Sequence, residues 1–298
     1  MVRFKRMQNR SRDSKRLRNT NDNDVMEYSI DTEKYIEKMV SFVNKVSGLD
    51  INLNDPVTIQ DKLCWLNIYE PMKLKTRCAD KILLHEYCKE NLGIDLCVPL
   101  IKVYDNTNEI DWDDLPDRFV IKCNHGSGMN IIVKDKSRLD IAGVTSILNI
   151  WMDMDFSMCN GFEAHYHDID RRILVEEYMD DGNETLHDYK FWCFNGVPKL
   201  YTINGGNGHG DIMYYRMDGT EYNLYGVKSH DEYKKPENFD RMASISAYLS
   251  RPFKFVRVDF YEINGIIYLG ELTFTPGAMA FKYKNYQDNI EVGKLLTL

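Results

Sequence analysis

The chain has 298 residues, 43% hydrophobic and 28% charged, enough for one large domain or two small ones and too apolar for wholesale disorder. No apolar run reaches the roughly 18 residues that span a bilayer, no signal-type apolar segment follows the basic start, and the seven scattered cysteines contain no CxxC, so reduced cytosolic thiols fit better than a zinc ribbon or a disulfide framework. The net charge of −8 is uneven: residues 1–24 carry eight Lys and Arg against three Asp, leaving 30 basic and 43 acidic residues elsewhere, and an acidic body lacks the footprint that nucleic acid requires.

Residues 1–24 show almost no apolar periodicity and read as a disordered basic tail able to touch an anionic membrane. Residues 25–72 read as helical. Tyr35, Ile36, Met39, Val40, Val43 and Val46 recur at helical spacing, Gly48 stops that run, and a second stretch covers Ile59 to Tyr69. Asp80 then reads as an N-terminal helix residue, with Ile82, Leu83, Tyr87 and Leu92 on one face and Gly93 at the end. Beyond Pro99 strands take over: Ile101 to Tyr104, then Arg118 to Cys123 and Asn130 to Val133 around a glycine-containing turn. A helix from Ile141 to Met152 precedes an irregular stretch, 153–170. Strands are predicted at Ile173 to Tyr178, Tyr189 to Phe194, Lys199 to Ile203 and Ile212 to Arg216. A helix at Phe239 to Leu249 leads to two last strands, Phe255 to Tyr261 and Ile266 to Phe274, joined by an Asn264-Gly265 hairpin turn. Helices with mostly antiparallel strands indicate an α+β fold rather than a βαβ repeat.

Three constellations carry chemistry. In Lys122-Cys123-Asn124-His125-Gly126-Ser127-Gly128 a lysine at a strand end feeds a loop whose glycines can turn backbone N–H groups toward phosphate; it lacks the GK[ST] of a Walker A loop, and a tight hairpin with a solvated lysine is the bland reading. In Arg257-Val258-Asp259-Phe260 and Glu271-Leu272-Thr273, period-two alternation puts Phe255, Arg257 and Asp259 on one face, and Leu269, Glu271 and Thr273 on one face of the partner strand. Charges within apolar strands need partners; magnesium is one, an ordinary salt bridge on a solvent face the other. The third is Ile173 to Met179 with Asp188-Tyr189-Lys190, either a plain strand or a segment offering backbone groups to adenine.

Taken in order, these pieces resemble the ATP-grasp superfamily and, within it, the TupA-like ATP-grasp family associated with teichuronopeptide and surface-polysaccharide synthesis, over about Lys73 to Tyr283. The resemblance implies an ATP-grasp fold of two α+β lobes gripping nucleotide between antiparallel sheets. A leading helix and strand would occupy residues 73–117, the small ATP lobe 118–178 and the large catalytic lobe 179–298. It implies ATP and Mg2+ as cofactors. Lys81, Lys122 and the loop His125, Gly126, Ser127 and Gly128 would meet phosphate. Glu176, Glu177, Tyr178 and Met179 would hold adenine, with Asp188 near the ribose. Lys190 and Arg257 would act on the transferring phosphoryl group, and Asp259, Glu271 and Thr273 would hold the metal. The superfamily's Asn stands as Thr273 here, a weaker oxygen donor.

The implied activity is a carboxylate–amine ligase acting through an acyl phosphate, joining an amino acid to a uronic-acid-containing surface polysaccharide or its precursor, in the cytoplasm and with the tail able to meet the inner face of the membrane. Two other readings stand beside it: a glycosyltransferase, for which Asp153-Met154-Asp155 is a formal DxD match, and a non-catalytic nucleotide-binding module. His165 and His167 lack a nearby third metal ligand and read as a surface loop lining the acceptor pocket. His125 either contacts the γ-phosphate or faces water. The stretch Asn204 to Asp211 reads as a lid or a plain hairpin loop.

Overall fold

The computed structural model describes residues 32–70, 72–159, 161–182, 185–206, 212–226 and 235–298. The basic tail and the last five residues of the candidate lid, 207–211, lie outside them. Helix α1 (Thr32–Ser47) buries Tyr35, Met39 and Val43, one i, i+4 row, and Gly48 leaves it at φ 67°. Helix α2 (Ile59–Tyr69) starts on a capping box between Thr58 and Asp61. Helices α3 (Lys73–Ala79) and α4 (Leu83–Leu92) follow, and Gly93 closes α4 in the left-handed region. The helix boundary lies past Asp80, whose carboxylate accepts from the Ile82 N–H at 2.8 Å in the turn between the two helices.

Strands β1 (Leu100–Tyr104), β2 (Phe119–Cys123), β3 (Asn130–Val133) and β4 (Ile173–Glu177) form an antiparallel sheet of order β1-β4-β2-β3. Its alternating strand faces bury Phe119, Ile121, Ile173 and Val175 against Val144 and Leu148 of α5 (Ile141–Asp153). Strands β5 (Thr185–Phe194), β6 (Val197–Gly206), β7 (Met213–Arg216), β8 (Glu221–Tyr222), β9 (Phe255–Ile263) and β10 (Ile266–Thr273) make a second antiparallel sheet, ordered β10-β9-β5-β6-β7-β8. Helix α6 (Phe239–Leu249) precedes β9, and α7 (Tyr286–Gly293) is the last described helix.

The two faces of this larger sheet have different fates. Phe191, Val258, Phe260 and Leu272 point into a core shared with α4 and α6. On the other face Trp192, Phe194 and Phe255 pack with Met39 and Val43 of α1, Ile59 and Leu63 of α2 and Val292 of α7. Full burial of each such side chain contributes about 1.5–3 kcal/mol. One register step further along, this second face turns from apolar to charged, and the candidate site begins there.

One sequence expectation is corrected. Leu269 does not share a face with Glu271 and Thr273. The register runs Leu269↔Phe260 and then jumps to Glu271↔Asp259, so Gly270 is the extra residue of a β-bulge. Leu269 is 1% exposed in the core, while Glu271 and Thr273 turn to the charged face. A Cβ at residue 270 would stand 3.0 Å from the Tyr261 ring, which accounts for the glycine. Helices α3 and α7 and strand β8 were not expected. KLKTRCA and YQDNIEVG are short and largely polar, and β8 has two residues, so none carries a legible period.

Candidate active site

Antiparallel pairing aligns Lys190 of β5, Asp259 of β9 and Glu271 of β10 in one cross-strand row. The adjacent row holds Arg257 and Thr273, and Asp188 lies two residues from Lys190 on the same face. Asp259 is 2% exposed and is gripped by two cations. Arg257 donates to it twice, Nε to Oδ1 at 2.7 Å and Nη2 to Oδ2 at 2.6 Å, and Lys190 Nζ donates at 3.0 Å. Burial by itself would raise this carboxyl; the Arg257 and Lys190 charges outweigh it and hold the group below the usual carboxylate range. Arg257 Nη2 also reaches Glu271 Oε1 and Thr273 Oγ1, each at 3.1 Å, and the Thr273 hydroxyl donates to Glu271 at 2.6 Å. Lys190 pairs further with Asp188 at 3.1 Å.

Across from this cluster stands the smaller sheet. Lys122, at the end of β2, donates to Glu176 of β4 at 2.5 Å, and Glu176 is 7% exposed. Lys81 Nζ donates to the Gly126 carbonyl at 2.6 Å. Burial pushes the Lys81 ammonium below its ordinary value, and Glu271, Lys122 and Glu176 all lie within its electrostatic reach. Lys81 thus stands between the charges of both sheets. In the loop after β2, Ser127 and Gly128 are exposed, Gly128 has φ 72°, and a Cβ at Gly126 would strike Met129 and Phe156, each at 2.8 Å.

The remaining predicted residues separate. His125 does not face water: it is 1% exposed, with Nε2 at 3.0 Å from the Trp151 carbonyl, so its side chain anchors the loop to α5. Glu177 spends its N–H on the Pro99 carbonyl, and β4 ends there, one residue short of the expected Tyr178. Tyr178 and Met179 are half-buried, and Arg118 stacks on the Tyr178 ring. His165 is not on a surface loop: it is 2% exposed, packed against Tyr166 and Phe274, and burial pushes its pKa down to about 3. His167 bonds Asp155, which caps the turn at Phe156, so the formal DxD aspartate is structural. A cavity of about 600 Å³ lined by Lys73, Arg77, Asp80 and Arg172 includes none of the predicted site residues.

Sequence reasoning missed Glu163 and the turn that holds it. After β10 the chain enters three consecutive left-handed residues, Gly277, Ala278 and Met279 (φ 56°, 52° and 59°). Left-handed Ala and Met are costly conformations of the kind that gathers at functional sites. The Thr275 hydroxyl donates to Glu163, and Glu163 is 6% exposed, with Lys81, Arg257 and Glu271 in electrostatic reach. Only Pro276-Gly277 marked this turn in the sequence, and no local pattern places residue 163 beside it.

Burial raises the Glu163 pKa to about 7. A carboxyl raised in the folded state contributes stability fully present below its unfolded pKa of about 4.3, and that contribution is lost as pH rises through the folded value. Glu163→Gln keeps an acceptor for Thr275 and removes the titration. Between about pH 4 and about pH 8 the wild type is expected to lose roughly 3 kcal/mol more stability than this variant. Urea unfolding at both pH values checks it; equal pH dependence of the two proteins would refute the assignment.

The donor set fits magnesium. Asp259, Glu271 and Thr273 offer oxygen only, the donor type a hard divalent ion requires. Three carboxylates, Asp188, Asp259 and Glu271, face two cations, Lys190 and Arg257, so the cluster keeps a net negative charge. The Glu271 side chain is 37% exposed, which leaves it accessible from solvent.

Two antiparallel sheets, with Lys122 on one, an oxygen-rich, cation-flanked cluster on the other and Lys81 between them, define an ATP-grasp protein. The chain belongs to the TupA-like ATPgrasp family, whose model matches residues 61–296, and ATP with Mg2+ are the cofactors of that class. Among solved structures the chain is similar to an L-amino acid ligase from Bacillus licheniformis, with TM-score 0.47 and 11% identity over 83% of this chain and 56% of that one. It is also similar to a D-alanine–D-alanine ligase from Helicobacter pylori (TM-score 0.46, 15% identity, 80% and 69% covered). A third is the Bacillus anthracis D-alanine–D-alanine ligase complexed with ATP (TM-score 0.41, 17% identity, 74% and 68% covered). No curated protein matches the chain in sequence. All seven cysteines are free, and no described helix is long and apolar enough to cross a membrane.

Proposed function

We propose that this protein is an ATP-dependent carboxylate–amine ligase, with a uronic-acid-bearing surface polysaccharide or its precursor as the carboxylate and an amino acid as the amine. The observation that carries the ligase reading is the cross-strand row Lys190–Asp259–Glu271 with Arg257 bonded to three of its neighbours, facing Lys122 of the other sheet and Lys81 in the turn between α3 and α4. The choice of acceptor rests on what the resemblance to TupA-like proteins implies.

Phosphoryl transfer asks for positioning and charge neutralisation rather than a protein nucleophile. The substrate carboxylate oxygen attacks the γ-phosphorus and ADP leaves, giving an acyl phosphate. The amine then attacks the acyl carbon, phosphate leaves, and the amine proton passes to solvent. Lys81, Lys122 and the backbone of residues 126–128 bind the polyphosphate. Tyr178 and Met179, past the last strand pairing, present backbone to adenine, and Asp188 takes the ribose. Arg257 and Lys190 turn from Asp259 toward the transferring group. Asp259 and Glu271 would hold magnesium, which when bound would offset phosphate charge, and Thr273 orients Glu271 through its hydroxyl. Within the chain, residues 118–178 act as the ATP lobe and 179–298 as the catalytic lobe, in a cytoplasmic protein.

A screen of ADP release over amino acids paired with uronic-acid acceptors tests the reading. Release that depends on both partners, with a product heavier by the amino acid less water, is the expected result. Release with either partner alone, or a product carrying a transferred sugar, would overturn it.

A further inference from the structure

A second cluster of metal-ligating side chains lies away from the charged face, where α4 meets the loop leading to β1. His85 Nδ1 stands 2.9 Å from Asp95 Oδ2, and single donor atoms of His85, Asp95 and Cys97 all lie within 4.8 Å of one another. His85 and Cys88 are one helical turn apart on α4, so their side chains emerge on one face. Cys88 is fully buried, and its Sγ accepts from the Leu96 N–H at 3.4 Å, next to Cys97 in the chain. His85 and Cys97 are 7% and 8% exposed, and the Asp95 side chain, at 26%, forms the solvent side.

We propose that His85, Cys88, Asp95 and Cys97 bind one soft divalent cation of the zinc type, and that this ion clamps the strand carrying Glu271. Two sulfurs, an imidazole and a carboxylate are a zinc donor set and a poor one for magnesium, which selects oxygen. Tetrahedral zinc, with bonds of about 2.0–2.3 Å, keeps its donors roughly 3.3–3.8 Å apart. The His85, Asp95 and Cys97 donors, within 4.8 Å of one another, would close to that spacing by side-chain adjustment, and Cys88, outside that group and one helical turn from His85, would turn in as the fourth donor. The ion replaces the thiol protons of Cys88 and Cys97, which pass to solvent, and the Lys89 ammonium, 3.2 Å from Asp95, offsets the added negative charge. Lys89 is well exposed, so its shift from the carboxylate costs little.

The clamp acts on β10. Cys97 forms a parallel bridge with Leu269, and the Leu269 N–H donates to the Leu96 carbonyl at 2.7 Å. Leu269 is the last residue before the Gly270 bulge that turns Glu271 onto the charged face. Fixing residues 95–97 to α4 therefore fixes the strand immediately ahead of the bulge.

The test uses the full chain, stripped with a chelator, kept reduced with a phosphine and supplied with excess Mg2+ so that the oxygen site is occupied. Titration with Co2+ is expected to raise thiolate-to-cobalt charge-transfer absorption that saturates at one equivalent, disappears on adding Zn2+, and releases protons. Cys88→Ser and Cys97→Ser should abolish the absorption. Asp95→Asn, at the solvent side and tolerable to the fold, should weaken cobalt binding more than ~10-fold. Absence of thiolate–cobalt absorption in the wild type, or its persistence unchanged in Asp95→Asn and both serine variants, would overturn the proposal.

Discussion

Glu271→Gln is expected to lose ATP turnover by about 10²–10³-fold while keeping nearly wild-type stability, whereas Asp259→Asn loses both. The difference follows from where the two carboxylates sit. Glu271 has a side chain 37% exposed, and its loss leaves Arg257 still paired with Asp259. Asp259 is 2% exposed and is the shared anion of Arg257 and Lys190, so neutralising it strands buried positive charge. Breaking a buried pair from one side costs about 3–5 kcal/mol. The same depressed carboxyl predicts acid sensitivity: its stabilisation is present above the unfolded pKa of about 3.9 and is lost as pH falls through the lower folded value. ADP release together with urea unfolding measures both effects. Normal turnover in Glu271→Gln would remove this residue from the metal site, and wild-type stability in Asp259→Asn would show that the two cations find other partners.

Arg257→Lys should lower kcat by about 10²–10³-fold with ATP affinity nearly unchanged. The guanidinium spans Asp259 with two nitrogens and reaches Glu271 and Thr273 with one of them, a planar fork that a lysine ammonium cannot reproduce from a single point. Charge is retained, so the carboxylates stay paired and the fold survives. What is lost is the ability to hold the cluster while turning one nitrogen toward a developing phosphoryl charge. A loss seen only in KM for ATP would instead mark Arg257 as a ground-state phosphate contact, and unchanged kinetics would make it structural. Steady-state ADP release at varied ATP separates these outcomes.

Much of the fold was legible because the local signals agreed. Helical spacing with Gly48 and Gly93 as stops marked α1 and α4, and alternation with Asn264-Gly265 marked the β9–β10 hairpin. Lys122, Glu176, Lys190, Arg257, Asp259 and Glu271 drew attention in the sequence because charged residues inside apolar strands stand out against a period of two. Their order along the chain carried the resemblance to the ATP-grasp superfamily. The tertiary structure alone decided who pairs with whom. Cross-strand register put Lys190, Asp259 and Glu271 in one row though they are far apart in the chain, and the extra residue at Gly270 reversed the expected facing of Leu269. Burial of His125 and His165, and the meeting of Glu163 with Thr275, arise from contacts between segments that no local period encodes. A single bulge inverts every alternation beyond it, so the facing of each side chain in β10 rested on strand pairing rather than on its own sequence.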